Sequence, residues 1–459
     1  MYKVNFNNPI HIHFIGIGGI SMSGLAEILL EEGFTISGSD AKESALTDKL
    51  SAMGAVIAYP QQASNITDDI DLVVYTAAIS QDNPEFAAAV SAGIPMLTRA
   101  ELLGQIMDNY SRSIAVSGTH GKTTTTSMLS HILMAAGSDP TISVGGILQS
   151  INGNIRVGKS ETFLTEACEY TNSFLNFYPK YSIILNIDAD HLDFFKDIND
   201  IRNSFHKFAL QTDKAGCLII NNDIPNLEQI TDGVGSEIIT YGTSDNAMYY
   251  ADEVTFTDKG TPVFKAYREG TLLGDVELHV PGMHNVSNAM AAIALTDKMG
   301  LSFDAVKDGL ATFYGTDRRF QHKGEFNGVT VIDDYAHHPT EIEATLKAAA
   351  TYPHDTLVVA FQPHTYSRTK ALLADFAKAL SHADVVVLAD IYAAREKNTY
   401  GISSDDLKTE IEKNGTEVYY FPTFEEIEKF LQKKCKHNDL LITMGAGDIV
   451  KVGEELISK

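Results

Sequence analysis

The chain has 459 residues, of which 44% are hydrophobic and 21% charged, so it is too long for one core and too ordinary in composition to be fibrous or disordered. With 35 basic against 60 acidic residues the formal net charge is −25, which argues against nucleic acid or an anionic membrane as the main partner. Three cysteines without C-x-x-C spacing, no leader-like apolar segment and no apolar run near the roughly 18 residues of a membrane span predict a cytoplasmic protein.

In chain order, short apolar runs alternate with longer helical patterns, which predicts an α/β protein with mainly parallel sheets. Strands are expected at 11–17, 35–37 and 72–76 and a helix at 23–32, with a polar break at Asp108-Asn109-Tyr110. After the first strand comes HFIGIGGISMS, where Gly16, Gly18 and Ser21 resemble a dinucleotide turn, and Asp40 falls where a ribose-binding acid would lie. A local NAD reading is therefore legitimate. Ser21 in place of the third glycine, and a second nucleotide site downstream, favour a turn that cradles another diphosphate, such as that of a UDP-linked substrate.

The next strand, expected at 113–117, runs into Gly118-Thr119-His120-Gly121-Lys122-Thr123-Thr124 and a helix expected at 124–136. Strand, glycine loop, G-K-T and helix together specify a phosphate loop. Its N–H groups and the helix dipole face phosphate oxygens, Lys122 pairs with the β/γ-phosphates, and the Thr123 hydroxyl suits Mg2+. The loop is shorter than the common pattern, which points away from GTPases and motors.

Two further motifs, TEACEYTNSFL (165–175) and NIDADHLD (186–193), each follow an expected strand. Glu169 or Glu166, with His191, could hold Mg2+ beside the γ-phosphate; the alternative makes Glu166 and Asp190 exposed loop acids and His191 a helix cap. Cys168 reads as a small buried hydrophobe rather than a nucleophile. Between 240 and 280 an antiparallel excursion is expected, then a helix at 285–298 in which Asn288 either reads an adenine edge or serves as a cap.

From Thr316 a third α/β region begins, with strands expected at 329–333, 356–361, 385–388 and 440–444. Arg318-Arg319-Phe320 offers guanidinium groups to a triphosphate, and Asp334 could hold a ribose hydroxyl or orient a basic partner. His337 and His338 lack a nearby soft third ligand, so zinc is not expected. FQPHTYSRTK (361–370) carries His364, Tyr366 and Arg368 towards a helix start, as an anion site or a capped turn.

Taken in order, HFIGIGGISMSG, GTHGKTTTT, EACEY…SFL, NIDADHLD, PGMHNVSNA, RRF, DDYAHHPTE and FQPHTYSRT resemble the Mur ligase family over essentially the whole chain. The resemblance implies three domains. Residues 1–108 would form a Rossmann-like UDP-sugar domain, 109–315 a central P-loop ATPase domain with a parallel sheet, and 316–459 a Rossmann-like C-terminal domain. It implies an amide ligase of peptidoglycan precursor synthesis, with ATP and Mg2+ as cofactors and UDP-N-acetylmuramate and L-alanine as partners. ATP would convert the lactoyl carboxylate into an acyl phosphate, which the alanine amine attacks. The alternative within the family is a recycling ligase that attaches a tripeptide to the same sugar nucleotide. Nucleic acid and membrane are not expected partners, and the chain would be a monomer or homodimer.

By the same resemblance Gly118, Thr119, His120, Gly121, Lys122, Thr123 and Thr124 bind ATP, with Asn288, Arg319 and Asp334 as further nucleotide contacts. Thr123, Glu169 and His191 are the implied metal ligands. Lys122, Glu169, His191, His337 and His338 are the implied catalytic residues, the last two in the segment that lines the reaction cleft, and Gly16, Gly18, Gly19 and Ser21 bind the UDP-sugar. His206 and Lys207 fall where later-acting relatives carry a carbamylated lysine, which is not expected here.

Overall fold

The computed structural model describes residues 2–76, 78–257, 260–394 and 396–458. Two compact units are formed, one from Met1–Ile187 with Ile201–Thr240, the other from Asp188–Asp200 with Tyr241–Lys459.

In the first unit, β1 (His11–Ile15), β2 (Thr35–Ser39), β3 (Val56–Ala58), β4 (Leu72–Tyr75) and β5 (Met96–Thr98) form a parallel sheet in the order β3-β2-β1-β4-β5. Ile12, Phe14, Leu72, Val73 and Val74 are fully buried, as expected of parallel strands covered on both faces. The strand order reverses beside β1, and a crevice at such a switch point is where open α/β sheets take ligands. The glycine turn lies there.

The second sheet of this unit contains β6 (Arg112–Ser117), β7 (Thr141–Leu148), β8 (Gly153–Arg156), β9 (Thr162–Ala167), β10 (Tyr181–Ile184) and β11 (Cys217–Asn221), in the order β11-β10-β6-β9-β7-β8. Only β8 runs antiparallel to its neighbour. β6 lies between β9 and β10, so the loops after these three strands emerge side by side. The phosphate loop, the Glu166–Glu169 stretch and Asn186 are brought together in this way.

β12 (Glu237–Gly242) carries the chain into the second unit, where its last residues pair in parallel with β13 (Tyr249–Phe256). β14 (Pro262–Arg268) and β15 (Thr271–Glu277) complete the expected antiparallel excursion, with Tyr250 and Tyr267 stacked across it at 5.1 Å. The third sheet is built from β16 (Gln321–Phe326), β17 (Val329–Asp334), β18 (Leu357–Phe361), β19 (Val385–Leu388), β20 (Glu417–Tyr420) and β21 (Leu440–Met444). Its order is β16-β17-β21-β18-β19-β20, with β16 alone antiparallel. Alternating residues feed two cores: Ile332, Val359 and Ile442 enter one, Val331, Val358 and Leu441 the other.

Three helices start earlier than the pattern predicts, at Ile20, Lys122 and Met283. Each follows a glycine. Gly121 and Gly282 adopt positive φ (84° and 95°) and turn the chain straight into the helix. Among the described residues no helix is long and apolar enough to cross a membrane.

Candidate functional site

The phosphate loop of the first unit is held open from behind. Gly118 has φ +144°, and a Cβ there would stand 2.8 Å from the Leu185 Cβ, so only glycine fits. Asn186 grips the peptide of His120 from both sides: its Oδ1 accepts from His120 N at 2.8 Å and its Nδ2 donates to His120 O at 3.0 Å. No side chain caps the helix Lys122–Ala135, which leaves its dipole and amino-terminal N–H groups facing an incoming anion.

Lys122 Nζ donates to the carbonyls of Gly118 and Thr119 and to Glu169 Oε2, the last at 2.8 Å. Side-chain exposure is 15% for Lys122 and 2% for Glu169. Burial opposes the ammonium charge, but Glu169 outweighs it and holds the lysine above its ordinary pKa. Thr123 Oγ1 donates to Glu166 Oε2 at 3.1 Å, and the other oxygen of Glu166 accepts from Gly145 N at 2.5 Å. Hydroxyl and carboxylate oxygens next to a phosphate loop are the donor set Mg2+ prefers, so the residues fit that ion. The carboxylate that meets Thr123 is Glu166, while Glu169 is turned to Lys122. Immediately after Glu169, Thr171 and Asn172 both take left-handed backbone (φ 54° and 58°), a costly conformation for a β-branched residue. Burial raises the pKa of Cys168, which fits the small hydrophobe and not a nucleophile.

At the glycine turn, Gly18 N donates to Asp40 Oδ2 at 2.8 Å. The acid that a dinucleotide reading reserves for a ribose is engaged by the turn's own backbone. Ser21 Oγ accepts from Arg99 Nη1 at 3.1 Å.

In the second unit, three distant motifs meet. Arg368 donates through Nε and Nη2 to Asp190 Oδ1 at 3.2 and 3.0 Å, Thr340 Oγ1 donates to Asp188 Oδ2 at 2.7 Å, and His338 Nε2 lies 3.2 Å from Ala189 O. Asp190 is 7% exposed, so it is no exposed loop acid. Burial works against its charge, but Arg368, His191 and His338 hold the carboxyl well below the usual range. His191 follows with φ 54° and donates its N–H to Asp190 Oδ1 at 2.7 Å, so it does not cap a helix.

Arg319 and Arg318 both lie over the Tyr335 ring, at 5.5 and 4.8 Å. Arg318 is anchored on Asp333 (3.0 Å) and Gly445 O (2.8 Å), and Arg319 Nη1 lies 3.6 Å from Glu341. Asp334 is turned inward. Its two oxygens accept from Phe320 N and Ala336 N at 2.8 and 2.7 Å. Asn288 is 7% exposed and donates to Asn285 Oδ1 at 3.1 Å.

Models of three Mur ligase domains cover almost the whole chain: the family's catalytic domain matches residues 11–111, the middle domain 116–296 and the glutamate ligase domain 318–447. The UDP-N-acetylmuramate–L-alanine ligase of Agathobacter rectalis is 67% identical over 459 residues, 100% of both chains. The chain belongs to the Mur ligase family. The ligase of the same name from Lachnoclostridium phytofermentans is 54% identical, again over 100% of both chains. Among solved structures, the UDP-N-acetylmuramate-alanine ligase of Thermotoga maritima superposes with a TM-score of 0.79 at 31% identity, with 98% of each chain covered. A murein peptide ligase from Psychrobacter arcticus gives 0.70 at 25%, also with 98% of each covered. The three-domain α/β Mur ligase fold, with its three mostly parallel sheets, is the fold expected from the sequence.

Within this Mur ligase, Asp334 and His337 directly flank Tyr335 and Ala336, and burial shifts them in opposite directions. Burial pushes the Asp334 carboxyl up to about 6, against the pull of Arg319 and two N–H groups. Burial pushes the His337 imidazole down to about 4, with Glu341 opposing and Arg368 assisting. His337 is therefore neutral at pH 7, with ring Nδ1 3.0 Å from Tyr335 O and its backbone N–H donated to Glu341 Oε2 at 3.1 Å. Its folded pKa lies below the unfolded value, so its contribution to stability is complete above about pH 6.5 and lost as pH falls towards 4. H337Q is expected to remove on the order of 2 kcal/mol of the stability difference between pH 7 and pH 4.5. Urea midpoints of both proteins at the two pH values measure this. Asp334 acts with the opposite sign in both, losing stability as pH rises through 6, and cancels in the comparison.

Proposed function

We propose that this Mur ligase joins L-alanine to the lactoyl carboxylate of UDP-N-acetylmuramate with hydrolysis of ATP to ADP and phosphate, in peptidoglycan precursor synthesis. The observation that carries the reading is the buried Lys122–Glu169 pair in an uncapped phosphate loop, in a chain 67% identical end to end to a ligase of that name. The carboxylate oxygen attacks the γ-phosphorus, the bond from that phosphorus to the β,γ-bridging oxygen breaks, and ADP leaves, which forms an acyl phosphate. The alanine amine then adds to its carbonyl carbon, phosphate leaves, and the amine's protons pass to solvent or a neighbouring base.

In this reading Lys122 and the helix amino terminus neutralise the transferring phosphoryl group, and positioning with charge neutralisation supplies most of the rate. Thr123 and Glu166 would hold Mg2+, with Glu169 and His191 as the further ligands expected from the family motif. That ion supplies additional charge neutralisation when bound. Asn288, Arg319 and Asp334 are proposed to support the nucleotide, His337 and His338 to line the reaction cleft, and Gly16, Gly18, Gly19 and Ser21 to receive the UDP-sugar. Domain limits at 1–108, 109–315 and 316–459 belong to the same proposal, as do a cytoplasmic location and a monomeric or homodimeric state.

Phosphate release from ATP is the test, with Mg2+ and UDP-N-acetylmuramate present and L-alanine, glycine, L-serine or tripeptide added in turn. Release driven by L-alanine, with the amide product seen by mass, is expected. Release driven only by tripeptide would move the chain to the recycling branch, and none with any acceptor would overturn the ligase reading.

A further inference from the structure

Arg99 is the first residue of the helix Arg99–Met107, directly after β5. A cation in the first turn of a helix opposes the macrodipole. The position is unusual in a second way: its one hydrogen bond goes to the neutral hydroxyl of Ser21, and among the described residues no carboxylate lies within ion-pair reach of it. The acid nearest in sequence, Glu101, is occupied by the capping box, where it accepts from Thr98 N at 2.7 Å and Thr98 Oγ1 at 2.8 Å.

Other enclosed arginines are answered. Arg202 meets Gln229 Oε1 and the carbonyls of Pro225 and Asn226, Arg318 meets Asp333, and Arg368 meets Asp190. Arg99 has several N–H donors in a planar fork and uses one. Burial pulls its guanidinium below the ordinary value. The helix that carries Arg99 packs on the turn Tyr170–Asn176, directly after Glu169, so closely that a Cβ on Gly104 would stand 1.9 Å from Asn176 O; it thus links the glycine turn, through Ser21, to the segment that follows Glu169. All of these residues belong to the first unit. A half-enclosed guanidinium without a counter-charge among the described residues, bonded to the glycine turn and carried by a helix packed on the segment after Glu169, is a site waiting for an oxyanion.

We propose that Arg99 is a substrate-positioning residue that receives an anionic oxygen of the sugar nucleotide, and so holds the reacting carboxylate in reach of the phosphate loop. The inference rests on the ligase reading above. Two groups of that substrate share the chemistry, the carboxylate and the diphosphate, and UDP-N-acetylglucosamine separates them, since it carries the diphosphate and lacks the lactoyl carboxylate.

The experiment is steady-state kinetics and calorimetry on the full chain and on R99Q. R99Q is expected to raise the KM for UDP-N-acetylmuramate about 10- to 100-fold, the loss that accompanies a hydrogen bond to a charged group. The KM for ATP should stay within about twofold, which a merely structural role would not spare. Unchanged affinity for UDP-N-acetylglucosamine would assign the carboxylate, and an equal loss for both sugar nucleotides would assign the diphosphate. R99K, which keeps the charge and loses the fork, should fall between, and it carries the test if R99Q does not fold. Wild-type KM in either variant, with wild-type turnover intact, overturns the inference alone. A wild-type chain that binds neither sugar nucleotide overturns the ligase reading and this inference with it.

Discussion

K122M is expected to reduce alanine-driven phosphate release by a factor of about 10³, the largest effect of any single substitution in the chain. The ammonium is not a loose surface charge. It is fixed by two loop carbonyls and by Glu169, and it stays protonated at any pH the enzyme meets because the carboxylate beside it outweighs the cost of burial. Methionine keeps the length of the side chain and removes the charge. It also leaves Glu169, 2% exposed, without its cation, and breaking one side of such a pair costs about 3 kcal/mol. The two losses can be told apart. K122M/E169Q should recover much of the stability, since no buried charge is left alone, and none of the activity. K122R should not rescue either, because a planar fork does not fit a nest shaped for a compact ammonium. Phosphate release with thermal midpoints on all four proteins is the measurement. More than a tenth of wild-type turnover in K122M would sink the assignment of Lys122.

The phosphate loop was legible because its signal is local: glycine spacing, lysine and threonine lie within one turn of chain, and a strand and helix flank them. The parallel strands were legible for a similar reason, as apolar runs of the right length. What could not be read is pairing across sequence. Thr123 meets Glu166 rather than Glu169, a choice made by the register of β6 against β9, where Val116 lies beside Glu166. Asn186 was visible only as the first letter of a motif, yet it braces the loop at His120 from 66 residues away. Asp334 reads as a ligand-binding acid, but the sequence does not show that its two oxygens accept from Ala336 N in the following loop and from Phe320 N, 14 residues earlier. Nothing in the sequence singled out Arg99, whose interest lies in a partner it lacks. Backbone strain marks the same places: Thr171, Asn172, His191, Arg318 and Phe320 all have positive φ, and all fall in motifs picked out by their residue types.

R368Q should release residues 188–200 from the rest of the second unit. Arg368 and Asp190 are 178 residues apart in sequence and joined by two donors on one carboxylate oxygen, with side-chain exposures of 13% and 8%. That oxygen also accepts the N–H of His191, so the ion pair fixes the backbone that presents the histidine, at a φ of 54° that little else would maintain. Glutamine removes the charge and leaves Asp190 buried, at a cost of about 3 kcal/mol, enough to raise the open population of the segment about a hundredfold. A global unfolding midpoint does not localise the loss to one segment. Hydrogen exchange is the better one, with loss of amide protection expected between residues 188 and 195 while β18 and β21 keep theirs. D190N should open the same segment, and D190N/R368Q should open it less than the sum of the two, since neither charge is then left without the other. Strict additivity in that cycle would mean that the two side chains act independently, and that Thr340 and His338 alone hold the segment in place.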